Sequence, residues 1–342
     1  MFRLKKTLTA IGAMTLALAT AVPVIAQDRP GEGVKITMAR PTWDTGWFQT
    51  EIYSQMLGEL GYDVSQPMTL DNAAFFQAVA LGDVTMWADG WFPQQDVYRD
   101  TFEDGAEIVG AVARGGALQG YMVDKASADK FDIKTLDDFK RPEVREAFDR
   151  NGDGKADLVS CPVGWACEEI IQHHLRAYDL VDHVNVITAN YSASMADALA
   201  AYHDGESILF YAWTPNWTAA ELKPGEDAVW IEVPFVELMD GAKELEETAV
   251  WPGIEGCVAD PCRLGYIAND IVSVVNSEFL AENPAVRALL EAAEVPLTDV
   301  FAQNALMNSG DQDVAGHAAT WIADNREQVD GWLATAREAA AN

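Results

Sequence analysis

Residues 206–217 read ESILFYAWTPNW, a β-rich apolar run that closes at Trp213 and is followed by a turn-like segment. Runs of this kind alternate along the chain with helical patterns, which is typical of an α/β protein. The sequence predicts strands over residues 34–39, 62–64, 84–88, 206–213 and 270–275, helices over 49–60 and 73–81, and a mainly helical tail over 283–341. Because 342 residues are more than one hydrophobic core comfortably holds, two lobes are expected.

Three separated segments place a tryptophan at a turn-like site: residues 90–93 (GWFP), 164–167 (GWAC) and 212–217 (AWTPNW). Thr42, Trp43 and Asp44 similarly follow the first predicted strand. In open α/β sheets ligands bind outside the carboxyl ends of the strands, so these segments are expected to meet in one crevice between the lobes. Indole faces there would hold a methylated ammonium group, which has no hydrogen-bond donor, by cation–π attraction of about 0.5–2 kcal/mol per ring. Because the chain has 11 Trp, most of them must be ordinary core, and the prediction depends on position rather than number.

The first 26 residues have the pattern of a secretory signal peptide. Arg3, Lys5 and Lys6 precede an apolar stretch that ends in small residues at 24–26, so cleavage would leave Gln27 first and the protein is expected in the periplasm. The alternative is a membrane anchor, but Pro23 interrupts the segment and no charged stop-transfer flank follows. The formal net charge of −31 argues against nucleic acid and anionic membranes as partners.

Four cysteines fall into two local pairs. Cys161 with Cys167, and Cys257 with Cys262, are expected to form disulfides in an oxidising compartment, and the first loop encloses Trp165. The alternative is a zinc site that also uses the adjacent histidines at 173–174. Neither cysteine pair has the C-x2-C spacing, and adjacent side chains on a helix point about 100° apart, which disfavours zinc.

A calcium-loop pattern lies just before the first cysteine pair. Asp149, Asn151, Asp153 and Asp157 occupy positions 1, 3, 5 and 9 of the loop, Lys155 would offer its carbonyl at position 7, and a glycine stands at position 6. Position 12 is Ser160 instead of a bidentate glutamate. The sequence therefore predicts either a structural calcium ion or a turn stabilised by its own Asp and Asn side chains.

Several long stretches resemble the periplasmic substrate-binding proteins of glycine betaine and proline betaine ABC transporters, and the likeness extends over nearly the whole exported chain. They are residues 120–125 (GYMVDK), 149–158 (DRNGDGKADL), 161–168 (CPVGWACE), 213–217 (WTPNW) and 221–225 (ELKPG). The resemblance implies a two-lobed, type II-like α/β fold with the ligand in the interlobe cleft. Residues 27–122 and 268–342 would form the first lobe, and residues 123–267 the second, inserted lobe. It further implies a monomer that delivers its solute to an ABC permease.

The same resemblance assigns the binding residues. Trp91, Trp165 and Trp213 match the aromatic box that grips the methylammonium head, and the amides of Ala166 and Cys167 match those that receive the carboxylate of the ligand.

Two departures from the family pattern bear on the choice of solute. Gln95 stands where the family has a histidine that helps to hold the betaine carboxylate, and a neutral amide donates a hydrogen bond without a full charge. Trp43 and Asp44 add an aromatic ring and an acid, and the acid would repel a carboxylate tail, although Asp44 could instead cap the next helix. These changes favour a shorter solute such as trimethylamine N-oxide, with glycine betaine or proline betaine as the alternative.

Enzyme motifs are absent from the sequence: it contains no G-x-S-x-G, P-loop, G-x-G-x-x-G or H-E-x-x-H pattern. We therefore expect neither catalysis nor a functional cofactor. A secreted glycosidase or sugar-binding module is a remote alternative, because tryptophan platforms and abundant carboxylates also suit sugars.

Overall fold

The computed structural model describes residues 29–341, so the predicted signal peptide lies outside the described residues. The strands are β1 Lys35–Ile36, β2 Ala39–Pro41, β3 Asp63–Val64, β4 Met68–Leu70, β5 Met86–Phe92, β6 Ala106–Ala117, β7 Gln119–Asp124, β8 Ala156–Val159, β9 Val184–Ile187, β10 Leu209–Trp213, β11 Ala228–Ile231, β12 Val250–Trp251, β13 Cys262–Arg263 and β14 Asn269–Asn276. The α-helices are Trp47–Glu59, Asn72–Leu81, Arg99–Phe102, Lys125–Phe131, Pro142–Phe148, Ala166–Ala177, Tyr191–His203, Thr218–Glu221, Ser277–Glu282, Pro284–Ala292, Leu297–Asn308, Val314–Asp324 and Arg326–Ala340. Short 3-10 helices cover Asp44–Gly46, Gln94–Tyr98, Leu136–Lys140 and Lys243–Ala249.

Two larger sheets divide the molecule into two lobes. The first has the order β5-β14-β6, with β14 antiparallel to both neighbours, and a bridge from Met38 to Met86 joins it to the short pairs near the start of the chain. The second has the order β11-β7-β10-β8-β9, in which β10, β8 and β9 run parallel. All strands of the second sheet lie in sequence between β6 and β14. The chain therefore passes from one lobe to the other near residue 118 and returns near residue 268.

Amphipathic helices of the tail cover the first sheet. In the helix Pro284–Ala292 the buried residues Val286, Leu289 and Leu290 repeat at helical spacing, and this helix packs on β6 and on the last helix, Arg326–Ala340. The helical tail predicted from the sequence is thus confirmed. No helix within residues 29–341 is long and apolar enough to cross a membrane.

One predicted strand has different bounds. Residues 84–88 were expected to end before a turn, whereas β5 continues through Asp89 and Gly90 to Phe92, with all seven residues buried. Asp-Gly favours turns in short sequence windows, but β14 pairs with this segment along its length and keeps it extended. Trp91 consequently lies inside the strand and not after it.

Candidate functional site

A small cavity lies between the two sheets. Its lining comes from both lobes and consists of Trp43, Asn72, Trp91, Gln94, Gln95, Gln119, Trp165, Ala166, Cys167, Tyr211 and Trp213. Trp91 stands near the carboxyl end of β5, Trp213 ends β10, and Trp165 follows β8. The structure therefore brings the three tryptophans of the separate turn-like segments to one place, as strand-end geometry requires.

Four tryptophan rings line the cavity and form an aromatic cage: Trp43, Trp91, Trp165 and Trp213. The ring of Trp165 lies 5.3 Å from that of Trp43 and 5.6 Å from that of Trp213, at interplanar angles of 75° and 79°. Tyr191 supports this cage from behind, 4.7 Å from the Trp213 ring. Perpendicular indoles present faces in several directions, and such faces attract a cation placed between them.

Two of the indole N–H groups donate hydrogen bonds across the cleft. Trp165 Nε1 donates to Thr42 Oγ1 at 2.8 Å, and Trp213 Nε1 donates to Thr45 Oγ1 at 3.3 Å. Both threonines lie in the segment after β2 of the first lobe, whereas both tryptophans belong to the second lobe. These bonds fix the rings and hold the lobes together in a closed arrangement.

A helix begins at the floor of the cavity. Gly164 has φ +94°, which a glycine adopts without strain, and Trp165 is the extended residue before the helix Ala166–Ala177. The N–H groups of Ala166 and Cys167 lie in the first turn, where a helix offers them no carbonyl partner. Because the amino end of a helix is also electropositive, this turn suits an anion such as a carboxylate.

Amide side chains from the segment after β5 and from β7 complete the lining of the cavity. Gln95 is 2% exposed, and its Oε1 accepts a hydrogen bond from the backbone N–H of Trp91 at 3.0 Å. Gln119 donates to Gln94 and accepts from the Tyr211 hydroxyl. Gln95 thus braces Trp91 through its oxygen and leaves its NH₂ group as the donor that it can offer to a ligand.

Sequence reasoning missed Asp89. This residue is 1% exposed, lies on β5 two residues before Trp91, and accepts hydrogen bonds from Trp43 Nε1 and from Gln49 Nε2, the latter at 2.6 Å. Burial raises its pKa to about 7, and the Gln49, Trp43 and Trp91 donors oppose that rise. The available signal was an acid within an otherwise apolar run, because such an acid is rarely buried without a specific partner.

Asp44 lies beside the cage cavity but does not line it. It lines a neighbouring depression that shares Trp43, Trp165 and Trp213 with that cavity, and its Oδ1 accepts a hydrogen bond from Asn304 at 3.2 Å. Burial raises the pKa of Asp44. It does not cap the helix Trp47–Glu59 either, whose N-cap is Gly46. Asp44 therefore lies next to three of the cage rings, and its role toward a cationic head stays a prediction.

Both predicted disulfides, Cys161–Cys167 and Cys257–Cys262, are present. The zinc alternative is wrong, because no free thiol remains among the described residues. Of the two histidines it required, His174 is wholly buried with Nδ1 2.8 Å from the Tyr121 hydroxyl, and burial lowers its pKa to about 3.

The predicted calcium loop is organised by internal hydrogen bonds. Asp149 accepts the amides of Gly152, Asp153 and Gly154, and Asp157 accepts the amides of Arg150 and Asn151. Within residues 29–341 no cluster of three or more His, Cys, Asp or Glu side chains is arranged to hold a metal ion. The structure thus favours the alternative of an Asx-rich turn and gives structural calcium no support.

Comparisons with known proteins agree with this geometry. The family described as "Substrate binding domain of ABC-type glycine betaine transport system" matches residues 34–324. The glycine betaine-binding periplasmic protein of Dickeya dadantii is 37% identical, covering 96% of this chain and 99% of that protein. The trimethylamine N-oxide-binding protein of Pelagibacter ubique is 22% identical, covering 85% of this chain and 88% of that protein.

Among solved structures, a lactococcal protein in a closed, liganded conformation with glycine betaine has a TM-score of 0.66 at 17% identity, covering 88% of this chain and 99% of that chain. This likeness confirms the two-lobed fold. The members of such a family capture solutes for transport and are not enzymes. The chain therefore belongs to the family of substrate-binding domains of ABC-type glycine betaine transport systems.

Proposed function

We propose that this protein captures glycine betaine in the cleft between its lobes and delivers it to an ABC importer. The observation that carries the proposal is the presence of an aromatic cage and a helix amino end in one cavity. Trp91, Trp165 and Trp213 would surround the trimethylammonium head, with Trp43 as a further wall. The amides of Ala166 and Cys167 would receive the carboxylate.

Glycine betaine is the better candidate than trimethylamine N-oxide, which the sequence alone favoured. That preference depended partly on Asp44 as an acid facing the ligand, but Asp44 lies outside the cage cavity. The other reason was Gln95, yet this side chain braces Trp91, and the helix amides supply donors for a carboxylate without it. Relatives at 35–37% identity are named for glycine betaine or for glycine betaine and proline betaine, and the trimethylamine N-oxide relative is much more distant.

Calorimetric titration of the exported chain tests the proposal. We expect glycine betaine to bind more tightly than trimethylamine N-oxide, because only the former has a carboxylate separated from its cationic head. Proline betaine, choline and a neutral disaccharide complete the series. Tighter binding of trimethylamine N-oxide would favour that solute, as the sequence alone did. Binding of the disaccharide alone would support the carbohydrate alternative.

The proposed transport role also has consequences for export, oligomeric state and docking. We propose export to the periplasm after cleavage of residues 1–26, a monomer in solution, and docking of the loaded form on a permease. The first lobe would be residues 27–118 with 268–342 and the second residues 119–267, because β7 belongs to the second sheet; this moves the boundary at residue 122 that the sequence predicts. Amino-terminal sequencing that finds Gln27 first, and a mass of one chain by light scattering, would support these assignments; a retained leader or a stable dimer would oppose them.

A further inference from the structure

Asp89 is a buried carboxylate without a counter-ion. No Lys, Arg or His within residues 29–341 forms an ion pair with it, although it is 1% exposed. Buried carboxylates in proteins are usually paired, since an isolated charge loses its hydration and gains little in return. An unpaired acid at this position is therefore expected to have a function.

The neighbours of Asp89 are parts of the cage. Its two oxygens accept from the indole N–H of Trp43 and from the Gln49 amide, and Trp91 follows two residues later on the same strand. The indole N–H of Trp91 is buried without a partner of hydrogen-bond geometry, yet it is close enough to favour the ionised form of Asp89. Two of the four cage rings, Trp43 and Trp91, thus have their indole N–H groups near Asp89.

The site leaves no room for rearrangement. A Cβ atom at Gly46 would lie 2.3 Å from Asp89 Oδ2, so the backbone of the 3-10 helix Asp44–Gly46 closes over the carboxylate. Asp89 is therefore held against the N–H edge of Trp43 and does not itself line the cavity. A cation in the cage would supply the positive charge that Asp89 lacks among its ion-pair partners, and opposite charges attract more strongly in a low-dielectric interior than in water.

We propose that Asp89 is the counter-charge for the solute's ammonium group and, through its hydrogen bond to Trp43, a positioning residue for the cage. This inference rests on the proposed function, because it requires a cationic head in the cage. The charge makes the cleft select for positive charge in addition to shape. A purely aromatic box would discriminate less between a quaternary ammonium and an uncharged group of the same size.

The test compares glycine betaine with 3,3-dimethylbutanoate, which has the same shape and carboxylate but a carbon atom in place of the charged nitrogen. Calorimetry gives the ratio of the two dissociation constants for the wild type, for Asp89→Asn and for a control, Asp124→Asn. Asp124 is a matched control because it is also a buried carboxylate whose two oxygens each accept a hydrogen bond, from the Ser127 and Ile208 amides, but it lies in the other lobe and not beside the cage.

Asp89→Asn should reduce the preference for glycine betaine about tenfold, through weaker binding of the cation alone, while the control keeps the wild-type ratio. Equal weakening of both ligands would show that Asp89 only holds the fold, and would overturn the counter-charge. If wild-type protein bound neither ligand, the proposed function itself would fail, which is a distinct result.

A second measurement needs no variant. In the wild type the same ratio should increase between pH 6 and pH 8.5, because Asp89 must be ionised to attract the cation. The groups that face it are Trp43 and Gly46 from the segment after β2, Gln49 from the helix Trp47–Glu59 and Trp91 from β5, and none of them titrates in this range. A ratio that is constant with pH would overturn the proposal even if Asp89→Asn failed to fold.

Discussion

At the scale of single residues, position decides which tryptophans bind and which pack. Trp47 is four residues from Trp43, but its indole donates to the Pro41 carbonyl and lies under the Arg40 guanidinium, 3.9 Å from ring centre to cation carbon. It does not line the cavity. The two residues are alike in type and in neighbourhood, so only their side-chain directions separate a candidate binding role from a surface role.

Removal of a cage ring should weaken binding far more than removal of Trp47. We expect Trp165→Ala or Trp213→Ala to cost about 1–3 kcal/mol in glycine betaine binding, because each loses cation–π attraction and the closed shape of the cavity. Replacement by Phe should cost less. Titration calorimetry measures the effect, and Trp47→Ala is the matched control. Equal losses from Trp47→Ala and Trp165→Ala would place the ligand elsewhere.

Asp89 should also make the free protein less stable as the pH rises. Its pKa increases from 3.8 in the unfolded chain to about 7 in the folded state, so between these values unfolding releases a proton. The resulting penalty is absent at low pH and reaches on the order of 4 kcal/mol above pH 7.

Urea denaturation of wild type and Asp89→Asn between pH 4 and pH 8 tests whether the free energy of unfolding decreases as the pH rises. Wild type should lose stability relative to the variant across this range, because the variant has no charge to bury. Saturating glycine betaine should reduce the difference if the cation pairs with Asp89. A difference that is independent of pH would show that the carboxyl does not titrate in the folded protein.

At the scale of elements, the Cys161–Cys167 disulfide and the helix amino end act together. Cys161 follows β8 by two residues, and Cys167 is the second residue of the helix whose amides face the cavity. The bond therefore fixes Trp165 and the first helical turn against the sheet. Cys257–Cys262 closes a loop of nearly the same size, but its residues do not line the cage cavity.

Replacing each cysteine pair by serines should separate stability from affinity. Both double variants should lose roughly 2 kcal/mol of stability, because the loops differ by one residue in length. Only the Cys161/Cys167 variant should also bind glycine betaine several-fold more weakly. Equal affinities for the two variants would show that the helix amino end does not need this bond.

The loop containing Asp149 and Asp157 is the second element with a testable role. Its carboxylates already accept backbone amides, so a chelator should leave the melting temperature unchanged, whereas Asp149→Ala should lower it by removing three acceptor contacts. Differential scanning calorimetry with and without EDTA distinguishes a calcium site from a turn that is stabilised by its own side chains. A chelator-induced decrease in the melting temperature, reversed by calcium, would support the metal prediction instead.

At the scale of the whole molecule, closing the lobes completes the site. Two cage rings donate across the cleft to Thr42 and Thr45, and Asn304 of the helical tail accepts the backbone N–H of Trp217 at 2.7 Å. These bonds can form only when the lobes meet. Ligand binding and closure are therefore expected to be coupled, since the cage is complete only in the closed arrangement.

Thr42→Val should weaken binding by shifting the molecule toward the open arrangement. The substitution keeps the volume but removes the acceptor for Trp165 Nε1, and one neutral hydrogen bond contributes about 0.5–1.5 kcal/mol. Thr69→Val is the control, because Thr69 Oγ1 accepts from Arg40 on the exposed surface. Small-angle scattering without ligand should show a larger radius of gyration for Thr42→Val only. The same radius and affinity as the control would show that this bond does not hold the lobes.

The sequence by itself determined the α/β class, the two disulfides and the helical tail, and it named all four cage tryptophans as candidates, because these features depend on local periodicity, spacing and strand ends. Tertiary structure alone decided what Asp89 contacts, since its partners Trp43 and Gln49 are 46 and 40 residues away. It also decided that β5 continues through Asp-Gly, because β14 pairs with that segment. The direction of the Asp44 carboxylate was decided in the same way: local spacing puts the residue beside Trp43, but only packing against Asn304 fixes where its carboxylate points.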